Sequence, residues 1–300
     1  MQFGVFGGLS VEDRDGRHLP TAPKQRQLLG LLLLHANQMM PVRTYVTEIW
    51  GGHPPPSAAT TLQTYVMQLR RMLARMPSVG GREAAHERLR TAGQGYQLMV
   101  ETDELDLLRF ERLVDLAGRA AGDDVMVARL LRGALALWDR PVLADVRTGP
   151  VLEAAVTHWE ARRLQVHETY LDAQLRLGRH REVLAELAVL TRRHPVHEAL
   201  HARYMAALQQ SGRIGDALEV ADRLTGRLAR DLGIAPGPAI GRIRASIRHG
   251  GPIPPHTPSP ARPNSASPSS RSTSQIRPLL PAGRGRTDAR GGTLARTPAT

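Results

Sequence analysis

The stretch TTLQTYVMQLRRML, residues 60–73, decides how the first third of this 300-residue chain is interpreted. Leu62, Val66, Leu69 and Leu73 recur at the spacing of one apolar face of an α-helix. Periodicity alone also fits an ordinary amphipathic helix with a solvated polar face, so the neighbouring segments carry the decision. At about 100° per residue, the opposite face holds side chains suited to contacting base edges in a major groove: Thr60, Thr64, Met67, Gln68 and Arg71.

Short strands and two helices are predicted before residues 60–73. Strand-like segments at 3–6, 9–12 and 17–20 are separated by glycine-containing turns. PKQRQLLGLLLLHANQ is typical of a core helix, because its leucines cover nearly the whole circumference and its proline suits a first helical turn. MMPVR predicts a short strand, and TYVTEIW predicts a second short helix.

A β-hairpin is predicted after the third helix, where LRT and YQLMV flank a glycine-containing turn. Strands, three helices and a terminal hairpin are the element order of an α+β winged helix-turn-helix, which we expect over residues 1–100. The third helix of such a domain enters the major groove, and the hairpin, or wing, lies on the flanking backbone. The residues expected to contact phosphates or to belong to the wing are Thr61, Tyr65, Arg70, Arg90 and Thr91.

Residues 101–248 predict an all-α, tetratricopeptide-like domain, so the fold as a whole is mostly α. Amphipathic stretches follow one another, and Gly178 of LGR and Gly212 of SGR lie 34 residues apart, the period of tetratricopeptide helix pairs. Stacked helix pairs present concave surfaces to proteins, which favours partner binding or self-association over catalysis. Three carboxylates at the start of this region are expected to complement a helix dipole: Asp103, Glu104 and Asp106.

The net charge of +12 lies at the two ends of the chain. Residues 1–100 carry 11 basic and 6 acidic side chains, residues 101–250 carry 22 and 21, and residues 251–300 carry 7 and 1. The arginines of the last segment are compatible with non-specific affinity for polyanions, but a solvated tail without function is the favoured interpretation. The last segment is rich in Pro, Ser, Gly and Arg and poor in large apolar residues, so we expect a disordered tail over 249–300.

Several enzyme classes lack the residues they need. The chain has no cysteine, which excludes disulfides, thiolate zinc sites and a cysteine nucleophile. Lys24, the only lysine, follows Pro23 and not a glycine, which excludes a P-loop. No serine of the folded region lies in a G-x-S-x-G motif. We expect no catalytic residue, no enzyme activity and no cofactor.

A histidine cluster leaves one alternative open. His194, His197 and His201 are spaced by three and four residues, which is compatible with convergence on a metal. Pro195 places His194 before the helix, however, and no acidic cluster completes a site. Surface histidines are the favoured interpretation, and we expect no metal.

Membrane and export signals are not expected. MQFGVFGG lacks a basic segment followed by an apolar stretch of signal length. The longest apolar run, LLGLLLL at 28–34, is far short of the about 20 residues that a membrane span requires. A cytoplasmic protein associated with the nucleoid is expected.

These motifs resemble a known family. FGVFGGLSV, EIWGG, TTLQTYVMQLRRML and LRTAGQGYQL are similar to the response-regulator-type winged helix of the Streptomyces antibiotic regulatory proteins. LDLLRFERLV, LLRGALALWDRPVLADV and SGRIGDALEVADRLTGRLARDLGIAPGPAI are similar to the bacterial transcriptional activator domain that accompanies it. Members often carry Ser-Arg where this chain has Met67-Gln68. Because this chain lacks that arginine, it also lacks the contact that a guanidinium would make to guanine or phosphate.

The resemblance, over residues 1–248, implies a sequence-specific transcriptional activator of an antibiotic or secondary-metabolite gene cluster. It implies binding to direct repeats near promoters and recruitment of RNA polymerase. Double-stranded DNA, RNA polymerase and a second copy of the chain on DNA are therefore the expected partners. The alternative class is a helical-repeat scaffold whose N-terminal module and basic tail bind nucleic acid non-specifically.

Overall fold

The computed structural model describes residues 1–249 as a mostly helical protein with two small antiparallel sheets. The disordered tail predicted over 249–300 lies outside these residues, apart from His249. One sheet has three strands in chain order: β1 (Gln2–Gly4), β2 (Ser10–Asp13) and β3 (Gly16–Arg17). The other has the order β4-β6-β5 and consists of β4 (Met40–Pro41), β5 (Leu89–Ala92) and β6 (Gly95–Leu98).

The hairpin predicted near residue 90 is confirmed. Strands β5 and β6 pair Arg90 with Gln97 and Thr91 with Tyr96. Strand β4 approaches β6 so closely that a Cβ at Gly95 would lie 2.0 Å from the Met40 carbonyl oxygen. A residue without a side chain is therefore required where the wing joins the helical part of the domain.

Four helices lie between β3 and β5: α1 (Pro23–Leu34), α2 (Val42–Trp50), α3 (Ala58–Ala74) and α4 (Arg82–Arg88). The first three confirm the sequence prediction, and α1 buries every residue from 28 to 34 as its leucine pattern indicates. The predicted strand MMPVR is too long, because Pro41 has extended backbone as the N-cap and α2 begins at Val42. Helix α4 was not predicted, since REAAHER carries no apolar stripe.

Within residues 1–249, seven further helices follow the short 3-10 turn Thr102–Glu104: α5 (Asp106–Arg119), α6 (Asp124–Ala136), α7 (Pro150–Arg176), α8 (Leu184–Arg193), α9 (Glu198–Gln210), α10 (Ile214–Leu232) and α11 (Pro238–Arg248). The predicted 34-residue repeat has a structural basis at the ends of α7 and α9. Gly178 and Gly212 have φ of +75° and +79°, in the left-handed region. The next amides, of Arg179 and Arg213, donate to carbonyls five residues earlier at 3.0 and 2.9 Å. Both helices thus end in the same C-cap.

One hydrophobic core runs from β1 into the helical region. The Phe6 ring stacks on Trp138, with centroids 3.8 Å apart, and both rings contact Phe110 edge-on at 5.4 Å. A second core joins α9, α10 and α11. Residues 1–249 lie in a single compact unit, so the division into domains at residue 100 stays a prediction. No helix within residues 1–249 has the length and apolar character needed to span a bilayer.

Candidate nucleic-acid interface

Helix α3 has its apolar face in the core and its polar face in solvent. Leu62, Val66, Leu69 and Leu73 are each at most 1% exposed. This confirms the predicted orientation of the helix, whereas its contacts with bases stay a prediction. The exposed front holds all five predicted base-facing side chains: Thr60, Thr64, Met67, Gln68 and Arg71.

The polar groups on this front differ in whether they have hydrogen-bond partners within the protein. Gln68 Oε1 accepts a hydrogen bond from Gln25 Nε2 of α1, and Thr64 Oγ1 donates to the Thr60 carbonyl oxygen at 3.1 Å. The Arg71 guanidinium has no hydrogen-bond or ion-pair partner within residues 1–249. Gln68 is therefore oriented in advance, while Arg71 is available to an external acceptor.

Arg70 fastens α3 to the wing. Its Nε donates to the Leu89 carbonyl oxygen at 2.7 Å, and its terminal nitrogen donates to Thr91 Oγ1 at 3.1 Å. Burial lowers the pKa of Arg70 from its ordinary value, but a guanidinium stays charged in proteins. The structure thus brings two predicted phosphate contacts, Arg70 and Thr91, into contact with each other. Each has a positioning role within the protein, and their contacts with phosphate stay a prediction.

Arg90 and Thr61, which are also predicted to contact the DNA backbone, differ in exposure. Arg90 is exposed, and its Nε donates to Gln97 Oε1 across the hairpin at 2.8 Å. Gln97 Nε2 in turn donates to the Asn37 carbonyl oxygen at 2.6 Å. Thr61 is only half-buried, at the start of α3. Arg90 is therefore steadied by the wing while its charge remains in solvent.

Tyr65 takes part in an array that joins three helices. Its ring stacks on Trp50 of α2, with centroids 6.4 Å apart and planes 7° apart. Lys24 Nζ of α1 lies 5.0 Å from the centroid of the same Trp50 ring. Such cation–π contacts contribute modestly to stability at exposed sites, and the array links α1, α2 and α3. No sequence pattern indicates this array, because the three residues belong to separate helices.

A buried carboxylate, which sequence reasoning missed, anchors α2 to α7. Glu48 is 2% exposed. Its Oε1 accepts from the Gly149 amide and from Gln27 Nε2 at 2.7 Å, and its Oε2 accepts from the Val151 and Leu152 amides at 2.9 Å. The first turn of a helix offers amides without intrahelical partners, and a negative charge there is also favoured by the helix dipole. Glu48 therefore caps α7 from a distant part of the chain.

Asp106 makes a comparable junction between α5 and the first sheet. Its Oδ2 accepts from the Val5 and Phe6 amides at 2.9 Å, and its Oδ1 accepts from the Leu107 amide at 2.7 Å. Burial raises the pKa of Asp106, although these backbone hydrogen bonds oppose the shift. The expectation that this carboxylate serves the helix dipole was therefore incomplete, since two of its donors come from the N-terminal strand region.

Two of the three histidines considered for metal binding have polar protein partners. His201 Nδ1 lies 3.1 Å from the His197 carbonyl oxygen, and His197 Nε2 lies 3.3 Å from a Glu168 carboxylate oxygen. Burial lowers the pKa of both His194 and His201. In the described part of the chain, no group of three His, Cys, Asp or Glu side chains is arranged to hold a metal ion.

Comparison with protein families gives two matches. Residues 16–98 match the family described as transcriptional regulatory protein, C terminal, and residues 105–248 match the bacterial transcriptional activator domain. The first match contains α3 and the wing. The second begins beside Asp106, at the junction between the first sheet and α5.

Similar whole proteins are also regulators. Regulatory protein DnrI of Streptomyces peucetius is 38% identical over 82% of this chain and 92% of its own length. Regulatory protein AfsR of Streptomyces coelicolor is 36% identical over 82% of this chain, but the chain spans only 24% of AfsR. The solved structure of EmbR of Mycobacterium tuberculosis, in complex with a low-affinity phosphopeptide, has a TM-score of 0.77 and 32% identity, over 84% of this chain and 66% of that one.

These relatives are named as regulatory proteins, and the two family matches follow one another in the order of winged helix and helical region that the structure shows. The chain therefore belongs to the Streptomyces antibiotic regulatory protein family of transcriptional regulators.

Proposed function

We propose that this protein is a sequence-specific DNA-binding activator of an antibiotic or other secondary-metabolite gene cluster, and that it acts on the nucleoid. The observation that carries the proposal is the exposed front of α3. Thr, Gln and Arg side chains face solvent there, while the back of the helix is buried in the core. Such side chains hydrogen-bond base edges in the major groove.

Three of the front residues have distinct roles in this proposal. Arg71, which is free of protein partners within residues 1–249, is suited to a bidentate contact with guanine. Gln68, held by Gln25, is suited to adenine, and Met67 offers an apolar contact to a thymine methyl group. The wing places Arg90 at the flanking phosphates, and the hydrogen bonds of Arg70 set the distance between the wing and α3.

Specificity in a genome requires more than one such module. A single DNA-binding module buries roughly 600–1,000 Å², and competing sites are numerous. We therefore place two copies on direct repeats near a promoter, where the helical region contacts the second copy and RNA polymerase. That region carries nearly balanced charge, with 22 basic and 21 acidic side chains over residues 101–250. Close approach of two copies therefore meets little net repulsion.

Gel-shift competition tests sequence specificity. Genomic fragments retained by the full chain supply the operator, and the complex is then challenged with excess unrelated duplex. We expect the operator complex to persist, because specific binding typically exceeds non-specific binding by about 10³ or more. Equal loss of operator and unrelated complexes would instead support the scaffold alternative.

Spacing tests the arrangement on direct repeats. Inserting about 5 bp, half a helical turn, between the repeats turns the second site to the opposite face of the duplex. Cooperative binding should disappear with this insertion and return when about 10 bp are inserted. Binding that ignores both insertions would show that one copy acts alone.

A further inference from the structure

Helix α4 and the end of α3 enclose an open groove whose lining is basic. The residues that line the groove are Met67, Arg70, Arg71, Ala74, Arg75, Arg82 and His86. No acidic side chain is among its lining residues in the described part of the chain. Two of the residues, Met67 and Arg71, also belong to the exposed front of α3, so the groove is continuous with the surface proposed to contact bases.

Three of the four arginines that line this groove are unpaired, whereas Arg70 donates to the wing. Arg71, Arg75 and Arg82 have no hydrogen-bond or ion-pair partner within residues 1–249. Arg176, by contrast, faces Asp124 at 2.7 Å. Like charges that converge without a counter-charge destabilise one another slightly, which indicates an external anion.

Helix α4 places basic side chains in this groove and keeps its acidic side chains outside it. Arg82 and His86 are four residues apart and share one face, and both line the groove. Glu83 and Glu87 occupy the neighbouring face, and neither is a lining residue. Two of the three basic side chains of this seven-residue helix thus line the groove, and the third, Arg88, pairs with Glu104.

The length of α3 indicates which anion fits. Its 17 residues span about 25 Å at 1.5 Å per residue, whereas the major groove of B-DNA is about 12 Å wide. With the front of α3, which ends at Arg71, in the groove, Arg75 lies about one helical turn further along α3, toward the edge of the groove. A phosphate backbone runs along that edge.

We infer that the α3–α4 groove binds the DNA phosphate backbone through Arg75 and Arg82, as a third contact beside the front of α3 and the wing. This inference rests on the proposed function, because it takes the front of α3 as the surface that enters the major groove. Phosphate contacts position a protein on DNA without reading its sequence. Arg75 and Arg82 are therefore assigned to affinity and register, and Arg71 to base recognition.

The salt dependence of binding by the full chain tests this assignment. Arg75→Ala and Arg82→Ala should each lower the slope of log K against log salt by about 0.9 and weaken binding about five-fold at 0.15 M salt. The loss should be the same on the operator and on an unrelated duplex. Arg82→Lys should retain the slope, because an ammonium group also binds phosphate.

Arg119→Ala is the matched control, since Arg119 is exposed at the end of α5 and has no partner within residues 1–249. It removes the same charge away from the groove. If Arg75→Ala and Arg82→Ala change the slope no more than Arg119→Ala does, the inference is wrong. A wild-type chain that fails to prefer its operator would overturn the proposed function instead. The slopes on unrelated duplex would still decide whether the groove binds phosphate.

Discussion

The charged side chains at the junction between the winged helix and the helical region have partners within the protein, whereas three arginines on α3 and α4 face solvent. At the junction, Glu48 and Asp106 are surrounded by amide donors from distant segments. On α3 and α4, Arg71, Arg75 and Arg82 have no partner within residues 1–249. A buried charge must be satisfied inside the protein, whereas an exposed charge is available for binding. Stability and DNA binding should therefore depend on different residues.

The largest effect is expected at the junction. Glu48→Ala leaves the Gly149, Val151 and Leu152 amides and the Gln27 side chain without their acceptor. We expect the free energy of unfolding to fall by about 3–5 kcal/mol, as measured by urea denaturation. Glu153→Ala removes an exposed carboxylate from the first turn of the same helix and should cost less than about 1 kcal/mol. Equal losses for the two variants would mean that burial of Glu48 is unimportant.

Arg71→Ala should weaken DNA binding and leave the stability of the fold nearly unchanged. Loss of a bidentate base contact should weaken operator binding by about 1–3 kcal/mol and relax selectivity at one base pair. The free energy of unfolding should stay within about 0.5 kcal/mol of wild type, since Arg71 is exposed. Footprinting of selected sites, with urea denaturation in parallel, checks both quantities. A stability loss without a binding loss would place Arg71 with the junction residues.

Asp106 makes the comparison depend on pH. Burial raises its pKa in the folded protein above the ordinary value of 3.8, so the folded state binds the proton more tightly than the unfolded state. The contribution of this group to stability is therefore greatest below pH 3.8 and declines as pH rises through the raised pKa. Urea denaturation should show that the free energy of unfolding of wild type minus that of Asp106→Asn becomes smaller as the pH rises through this range. A difference that grows would mean that the hydrogen bonds from Val5 and Phe6 outweigh burial.

The smallest effect is expected in the wing. Arg90→Ala should weaken binding to all sequences about equally and lower the salt slope by roughly 1. Its stability cost should be small, because the Arg90–Gln97 hydrogen bond is exposed. Salt titrations of operator and unrelated duplex measure the effect. A loss confined to the operator would make Arg90 a base or minor-groove contact.

The amphipathic segments were predictable because their spacing is a local property. The four apolar residues of α3, the leucines of α1 and the turn of the β5–β6 hairpin each indicate their element from neighbouring residues alone. The 34-residue repeat was visible for the same reason, since each C-cap needs its own glycine at positive φ. The family resemblance extended these local patterns to an order of domains, which the structure and the family matches support.

Helix α4 and its basic groove were not predictable in this way. Seven residues without an apolar stripe give no periodic signal, and Arg75 and Arg82 come together only because the chain turns between α3 and α4. Arg70 illustrates the same limit. Its spacing places it on the flank of α3, but only the folded hairpin brings the Leu89 carbonyl oxygen and the Thr91 hydroxyl within hydrogen-bond distance.

The sequence by itself determined which segments form helices, which face of α3 is exposed and where the charge accumulates, because these follow from side-chain spacing and composition. The tertiary structure alone decided that Glu48 caps α7 and that Asp106 joins α5 to the N-terminal strand region. About a hundred residues separate these partners, and no local rule links a carboxylate to a distant amide. Only folding, which removes both groups from water, makes them hydrogen-bond to each other.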